Sequence, residues 1–546
     1  MIEPNATPEP IPTDPAAPAL NAAPSTGGRR PDPGTRSAAR LAAILSFILI
    51  PAVVFLQQCE PREAPAPAAP AQPATLAGTP ESDQFSMVAR MMVKVYHAFK
   101  SGGTQNDAQM LARTIGKQLD ESADPGHSAF AISRPDPEVV RLNKLRAAIA
   151  AGEFEGDEEA LKRINTLANP PASEADAAGK AEKAAAEKTP AEAAANPDAE
   201  AEGSLDIAPD LEPLRLIYSG HASELTDDQR AALVQRQGWW GKLALSRGLP
   251  DSDPGRAAVV GGGGAIIAAV MLIGAVMLLG AVGAIGAFIF MLVKLGSGTL
   301  RRRFVPPAPG GSVYLESLAL FAAAFIALKV GGGLAVKFLH APEAAIIVAQ
   351  WSLMIIPFWP LLRGVSFAEH RRLIGWNTGR GVFREIGCGV LGYLAGLVPF
   401  FFATLISLFF LLAKFAIESS AGKKITPPRN PVVEELLHGS VWEVVLLGAL
   451  ATIWAPIVEE AIFRGSLFRH LRARLPLLGA ALISAIVFGV MHPYPVFLLL
   501  PVITLGFIFA LMREWRGSLI APMTAHALHN GTLVAMLVLF LTAMKD

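Results

Sequence analysis

Long runs of apolar residues dominate the second half of the chain, and one more run lies near its start. Each run is close to or above the roughly 20 residues that a helix needs to cross the hydrocarbon core of a bilayer. This pattern predicts an all-α fold, a polytopic transmembrane helical bundle with an N-terminal anchor. The nine predicted spans are 41–57, 262–293, 312–339, 342–362, 387–413, 441–463, 476–492, 495–512 and 518–542.

The chain between the first two apolar runs follows a different pattern. Residues 83–171 contain polar segments with an apolar residue every three or four positions, which predicts amphipathic helices. An Ala-, Glu-, Lys- and Pro-rich tract at 172–203 is typical of a low-complexity linker. We therefore predict a helical and partly disordered extramembrane region between two membrane segments.

These patterns divide the chain into six parts. The run at 41–57 is either an uncleaved anchor or a signal sequence. The long segment before it and the lack of a small-residue cleavage site directly after it favour the anchor. The predicted parts are a disordered N-terminus at 1–40, the anchor at 41–57, a Pro/Ala linker at 58–82, a helical extramembrane region at 83–257, a transmembrane helix with a basic loop at 258–307, and a transmembrane domain at 308–546 whose motifs lie in 440–542.

The composition agrees with a membrane protein that has extramembrane parts. Hydrophobic residues make up 52% of the chain and charged residues 17%, which is below the roughly 25% typical of soluble domains. The formal net charge is zero, and no concentrated basic face predicts nucleic-acid binding. Two cysteines, Cys59 and Cys388, are too few for a disulfide framework or a cysteine zinc site.

Arginines cluster in alternate loops between the predicted spans. Because basic loops tend to stay in the cytoplasm, the N-terminus and the loops near 301–303, 363–384, 464–474 and 513–516 are predicted to lie inside. The extramembrane region then lies outside. The exceptions, in a loop on the outer side, are Lys414, Lys423, Lys424 and Arg429.

The motif Glu-Glu-x-x-x-Arg occurs twice, in contexts of opposite polarity. EEALKR at 158–163 lies in a polar helix, where Glu159 and Arg163 are predicted to form an ordinary surface ion pair. EEAIFR at 459–464 follows an apolar stretch, where each charge costs roughly 2.5–3.5 kcal/mol to insert near the bilayer centre. Charges at such positions usually face a polar interior and mark function.

In the apolar copy, helix geometry separates the two glutamates. Glu460 and Arg464 are four residues apart with the glutamate first, which is the favourable order for an ion pair, so we predict a supporting structural pair. Glu459 is rotated by about 100° from Glu460 and has no such partner. We predict that Glu459 is the free carboxylate.

Polar residues in the later apolar runs are candidate partners of Glu459. His492 ends the run ALISAIVFGVMH, and His526 lies in MTAHALHN with Asn530 one turn later on the same face. The stretch between the first two helices turns near residue 475, which is 16 residues after Glu459 and 17 before His492. An antiparallel helical hairpin therefore places Glu459 and His492 at similar depth.

These residue types predict hydrolysis of an amide bond inside the membrane. Glu459 can act as general base on a water molecule, and His492 and His526 can bind that water or share the proton transfer. Asn530 can donate to the developing oxyanion. In a second mechanism Glu459, His492 and His526 form a two-histidine, one-carboxylate set that can hold Zn²⁺ with an open position. Both mechanisms stay open at this point.

Three short motifs resemble those of a known family. EEAIFR, FGVMH and HALHN, in this order on apolar helices, resemble the motifs of the CAAX-protease and bacteriocin-processing (CPBP) family of intramembrane proteases. The resemblance implies an intramembrane endopeptidase, for which we expect a bacterial inner (cell) membrane, with the lipid bilayer and a protein or peptide substrate as partners and no nucleic acid. Members are described both as metalloproteases and as glutamate-dependent proteases.

The resemblance also assigns roles to residues. It implies that Glu459, His492 and His526 surround a catalytic water and that Asn530 helps to stabilise the oxyanion. Glu460 and Arg464 correspond to supporting residues. A further histidine, His529, follows His526 by three residues, so which of the two faces the site stays open.

Two functions from other classes remain as alternatives. One is a non-catalytic membrane protein that binds a peptide on the same fold, for example in immunity to a secreted peptide. The other is a transporter in which Glu459 and the histidines conduct protons or metal ions. The presence of every matching catalytic position favours the enzyme, and the lack of paired broken helices argues against the transporter.

Overall fold

The computed structural model describes residues 30–58, 80–102, 105–123, 137–169, 206–420 and 441–544. Within these ranges the chain forms helices and no strand, apart from one isolated bridge between Pro31 and Ala308. The predicted all-α fold is therefore confirmed. The low-complexity tract at 172–203 and the basic residues Lys423, Lys424 and Arg429 lie outside the described residues.

The chain divides into two compact units. The first, which we call the membrane unit, comprises Met1–Glu60, Val276–Leu412 and Pro428–Met536. The second, which we call the helical module, comprises Pro61–Ala275 with Ala413–Pro427 and Leu537–Asp546.

The helical module has a core of its own. Leu142 and Leu145 are fully buried in it, and the indole of the buried Trp240 donates to Ser86 Oγ at 2.8 Å. Most of the module's helices bury one apolar face, as the three- and four-residue spacing predicts, whereas Pro137–Phe154 is buried on all sides from Leu145 to Glu153. The helices are Pro80–Gly102, Gln105–Ala123, Pro137–Phe154, Asp157–Ala168, Ala208–Tyr218, Asp227–Gln237, Trp239–Leu245 and Pro254–Val260.

The remaining helices are mostly longer and more apolar. Several end at basic residues, which keeps their charges near the end of the helix. They are Arg36–Gln58, Gly263–Gly296, Val313–Leu339, Glu343–Gln350 with the 3₁₀ segment Trp351–Phe358 and the turn Trp359–Leu362, Phe367–Ile374, Val382–Ser420, Val441–Arg472, Leu477–Val490, Leu499–Arg516 and Ile520–Met544.

Seven helices in the described part of the chain, rather than nine, are long and apolar enough to cross a membrane. Of the other two predicted runs, one forms the helix Ile520–Met544, which carries the polar residues of the last motif. The other forms Leu477–Val490, whose 14 residues extend about 21 Å against a hydrocarbon core of about 30 Å. Pro493 and Pro495 follow it and end the helix because proline lacks the N–H that a helix needs.

The prediction of disorder for residues 1–40 is wrong for residues 30–40, and residues 1–29 lie outside the described part. Residues 30–35, which we call the N-terminal strap, run beside residues 308–313, and the first helix begins at Arg36 rather than Leu41. Asp32 explains the order, because its buried carboxylate accepts from Arg469 at 2.7 Å. A Pro- and Gly-rich composition does not reveal such a long-range ion pair.

Basic residues of distant loops meet at one end of the membrane unit, which we call the basic end. Arg472 and Arg302 both contact Glu514, at 2.9 and 3.6 Å, and Arg516 binds Glu385 at 2.6 Å. The loops that the arginine pattern assigns to one side of the membrane are therefore adjacent in the structure.

Candidate active site

The helix Val441–Arg472, which we call the Glu-Glu helix, carries the EEAIFR motif between two wide turns. The α-helical stretch Ala455–Glu460 is flanked by the π-helical segments Leu450–Trp454 and Ala461–Leu467. Such π segments are rare and are frequent at functional sites. The glutamate pair therefore lies where the backbone departs from regular α geometry.

Pro456 leaves one carbonyl of the first π-helical segment without a backbone donor. In a π-helical segment the carbonyl of Ala451 would accept from the N–H of residue 456, but Pro456 has no N–H. Asn530 supplies the missing donor, because its Nδ2 donates to Ala451 O at 2.8 Å. The last helix is thus fastened to the Glu-Glu helix about two turns before the glutamates.

Glu460 and Arg464 form the predicted ion pair. Arg464 Nη1 donates to Glu460 Oε1 at 2.9 Å, and both side chains are fully buried. Arg464 Nη2 donates to the carbonyl of Gly506 at 3.1 Å. The guanidinium also lies over the rings of Phe488 and Phe509, at 4.2 and 5.2 Å from the ring centroids, where cation–π attraction stabilises it. The charge of Arg464 is therefore compensated on several sides.

His526 is held by the same glutamate. Its Nδ1 lies 3.0 Å from Glu460 Oε1. Because an ionised carboxylate only accepts hydrogen bonds, we assign the ring proton to Nδ1. The free Nε2 then points toward Glu459, with 3.9 Å between Nε2 and Oε2. The ring also stacks on Phe509 at 5.4 Å, which fixes its orientation.

Glu459 is the less constrained of the two glutamates. Its side chain is 17% exposed, whereas that of Glu460 is fully buried. In the described part of the chain its buried Oε2 atom has no hydrogen-bond partner. A separation of 3.9 Å from His526 Nε2 is too long for a direct hydrogen bond. The two atoms are instead placed to share one water molecule.

His492 lies on the other side of Phe488. Its Nδ1 lies 2.8 Å from the carbonyl oxygen of Phe488, which makes Nδ1 the donor and leaves Nε2 free. The Phe488 ring is 4.8 Å from the His492 ring and 5.9 Å from the His526 ring. The Phe488 ring therefore contacts both predicted histidines.

The last helix presents its two histidines to different neighbours. His526 contacts the glutamates, whereas the His529 ring packs against Tyr393 and Phe400 at 6.0 and 5.2 Å. Of the two candidates, His526 therefore faces the glutamate pair. Asn530 is directed to the backbone of the π segment through one N–H, which leaves its second N–H for another acceptor.

The predicted Zn²⁺ set of Glu459, His492 and His526 does not have the geometry of a metal site. No group of three or more His, Cys, Asp or Glu side chains among the described residues is placed to hold a metal ion. The Nδ1 atoms of both histidines bind protein acceptors, which leaves both Nε2 atoms free. The three side chains do not converge on one metal-binding position in this arrangement, and no step below uses a metal.

Several residues of the site carry no sequence signal of their own. Phe509 stacks on His526, and Gly506 supplies the carbonyl that Arg464 needs. A Cβ atom on Gly506 would lie 3.0–3.2 Å from Phe488, Ala485 and Arg464, so a side chain there would push the helices apart. Both residues lie in an ordinary apolar run, and only the packing of the helices identifies them.

Comparison with known families supports the motif resemblance. The family model described as type II CAAX prenyl endopeptidase Rce1-like matches residues 441–532. The matched segment contains the Glu-Glu helix, the helices Leu477–Val490 and Leu499–Arg516, and the part of the last helix that bears His526 and Asn530. Residues 441–532 are thus similar to the CAAX prenyl endopeptidases, which confirms the resemblance expected from the motifs. No curated protein and no solved structure matches the chain.

Proposed function

We propose that this multi-pass membrane protein is an intramembrane endopeptidase that hydrolyses peptide bonds of membrane-associated proteins or peptides. One observation carries the proposal. The unpartnered Oε2 of Glu459 lies 3.9 Å from the free Nε2 of His526, whose other nitrogen is held by Glu460. This arrangement suits the activation of a water molecule in a buried site.

The reaction uses Glu459 as general base. The carboxylate takes a proton from the water as its oxygen attacks the carbonyl carbon of the substrate, so that a C–O bond forms and the carbonyl electron pair moves onto oxygen. Collapse restores the C=O bond and breaks the C–N bond. The leaving nitrogen takes the proton that Glu459 received, which yields a new carboxyl terminus and a new amino terminus.

Other residues position and stabilise these steps. Glu460 fixes the tautomer of His526, so that Nε2 accepts from the water, and Arg464 balances the charge of Glu460. The free Nε2 of His492 can contact the water or the substrate from the other side of Phe488. The second N–H of Asn530 is available for the oxyanion. We place the enzyme in the inner membrane of a bacterium, with its basic end in the cytoplasm.

Mapping of new protein termini tests the proposal. Cells that express the wild type are compared with cells that express Glu459→Gln, His492→Ala or His526→Ala at matched protein levels. The matched control is Glu158→Gln, the same substitution in the other copy of the motif. We expect a set of termini that vanishes in the three site variants and persists in the control. Identical termini in all strains, with folded variants, would instead favour a non-catalytic binding protein.

A further inference from the structure

Burial of the catalytic helices changes abruptly at the level of the glutamates. Toward the basic end most residues of 454–469, 505–516 and 521–526 are buried or nearly so. Away from the basic end no residue is buried in 441–453, 492–498, 500–504 or 527–539, all of which the structure describes. The helices thus bury most of their side chains on one side of the site and leave them partly exposed on the other, where Asn530 still binds Ala451.

Ion pairs close the basic end. Arg472 is bound in bidentate fashion by Glu514, at 2.9 and 3.0 Å, and Arg516 by Glu385, at 2.6 and 2.8 Å. Arg513 lies buried beside them and donates to the carbonyls of Gly517 and Leu373. Buried bidentate pairs hold the helix ends in one geometry, which leaves no path for a peptide between them.

The N-terminal strap adds a second layer to this closure. The carbonyl of Pro33 accepts from the N–H groups of Ser312 and Val313 at 3.0 and 3.2 Å. Gly34 has φ +107°, and a Cβ atom there would collide with the Ser312 side chain, so the strap lies directly against the start of Val313–Leu339. Through its Asp32 carboxylate the strap also binds Arg469, near the end of the Glu-Glu helix. It therefore joins the two helices.

On the opposite side of the site the described residues expose apolar side chains. The helix Leu477–Val490 ends before it could cross a bilayer, and the turn that follows carries the half-buried His492. The side chains around this turn are apolar and exposed, with Val496 at 80%, Ile453 at 51% and Leu500 at 37%. They suit an apolar chain segment rather than a charged one.

We propose that the substrate reaches Glu459 only from the side opposite the basic end, as an extended apolar segment of a membrane protein. Its backbone must be extended there, because a helical peptide has its carbonyls occupied by internal hydrogen bonds. The arginine pattern places this side outside the cytoplasm, so the cleaved bonds lie in the outer half of the membrane or just beyond it. This inference rests on the proposed peptidase function, because only a peptidase has a peptide substrate that must reach Glu459.

Cysteine labelling measures the access route without needing activity. The full-length chain with Cys59→Ser and Cys388→Ser receives the further change Glu459→Cys, and membrane vesicles of both orientations are treated with a charged, impermeant methanethiosulfonate. Arg371→Cys, which lies exposed near the basic end, and Val496→Cys report the orientation of each vesicle preparation. Mass spectrometry measures the labelled fraction over time. Each cysteine variant in its unfolded state defines the signal of complete labelling.

We expect Glu459→Cys to behave like Val496→Cys. Glu459→Cys should be labelled about tenfold or more faster in vesicles of the orientation that exposes position 496 than in vesicles of the opposite orientation. This ratio is equivalent to about 1.4 kcal/mol. Labelling from the side of Arg371→Cys, or from neither side, would overturn the proposed route. If the proposed peptidase function is wrong, the protein termini will be the same in wild type and in the site variants. The two failures are therefore distinguishable.

Discussion

The two Glu-Glu-x-x-x-Arg segments form the same i,i+4 ion pair in different surroundings. In EEALKR the Arg163 Nε to Glu159 Oε1 distance is 3.2 Å, and the side chains are 21% and 30% exposed. In EEAIFR the Arg464 Nη1 to Glu460 Oε1 distance is 2.9 Å, and both side chains are fully buried. Helix periodicity alone produces both pairs, as predicted for each.

The neighbours of each pair give it a different use. Arg163 also binds the acidic side chains of Asp120 and Glu155, at 2.6 and 2.8 Å, and it joins two helices at the module surface. Arg464 meets aromatic rings and one carbonyl, while Glu460 turns to His526. Glu460 thereby orients His526 toward the free carboxylate of Glu459. Glu159 instead binds Lys162 and Arg163 at the surface of the module.

The largest expected effect distinguishes the first glutamate of each copy. Glu459→Gln should lower the rate of substrate cleavage by about 10²–10⁴-fold, because the amide cannot take the proton from water. Glu158→Gln should leave the rate unchanged, since Glu158 is exposed. Cleavage of a substrate identified by terminus mapping, followed by gel densitometry with purified protein, provides both rates. Equal rates for the two variants would remove the functional difference between the copies.

The second largest effect is expected on stability, when the arginine of the buried copy is replaced. Arg464→Ala leaves the buried Glu460 uncompensated and should cost about 3–5 kcal/mol of stability. Arg464→Lys should restore only part of it, because a lysine cannot donate to Glu460 and the Gly506 carbonyl in the same planar geometry. Thermal unfolding in detergent, followed by intrinsic fluorescence, measures the loss. A wild-type unfolding profile for Arg464→Ala would show that the pair has no structural role.

A third charged cluster, in the helical module, provides a buried carboxylate whose ion pair can be compared with both copies. Glu153 in the helical module is buried, and its oxygens bind His97 at 2.8 Å and Arg256 at 2.6 Å. Burial acts to raise the pKa of Glu153, but the hydrogen bonds from His97 and Arg256 and the charges of Arg256 and Arg247 lower it to about 2. The ionised form is therefore favoured in the folded state.

The pH dependence follows from this lowered pKa. The contribution of Glu153 is fully present above its unfolded value of 4.5, on the order of 3 kcal/mol, and it is lost as the pH falls from 4.5 to about 2. Hydrogen exchange of Pro137–Phe154 in the full-length protein, corrected for the intrinsic rate, should show this loss. Glu153→Gln should have low protection already at neutral pH and a flat profile. Parallel profiles for wild type and Glu153→Gln would contradict the assignment.

The smallest effect belongs to the exposed pair. Arg163→Ala should cost at most about 1 kcal/mol, because partly exposed ion pairs contribute little and are screened by salt. The stability losses of Arg163→Ala and Arg464→Ala should be measured at two ionic strengths. Only the loss for Arg163→Ala should shrink as salt rises, since only the exposed pair is screened. A loss for Arg163→Ala as large as that for Arg464→Ala would mean that burial does not separate the two copies.

Sequence predicted the features that depend on short-range geometry or on length. The apolar runs predicted the membrane helices, and the i,i+4 spacing predicted the Glu460–Arg464 pair. The predicted run 476–492 forms a helix too short to cross a bilayer, because Pro493 and Pro495 follow Leu477–Val490. Sequence assigned disorder to residues 30–40 because a Pro- and Gly-rich composition does not show that Asp32 meets an arginine more than 400 residues later.

The sequence by itself predicted which residues are candidates for the chemistry and determined on which helices they lie, because the spacing within one helix fixes their relative rotation. Only the tertiary structure decided that His526 rather than His529 faces the glutamates and that Asn530 bonds to Ala451. The fold likewise decided that Gly506 and Phe509 enclose Arg464. These contacts join different helices, and they depend on the rotation and depth of each helix in the bundle. Packing against several neighbours sets that rotation and depth, and no single stretch of sequence encodes them.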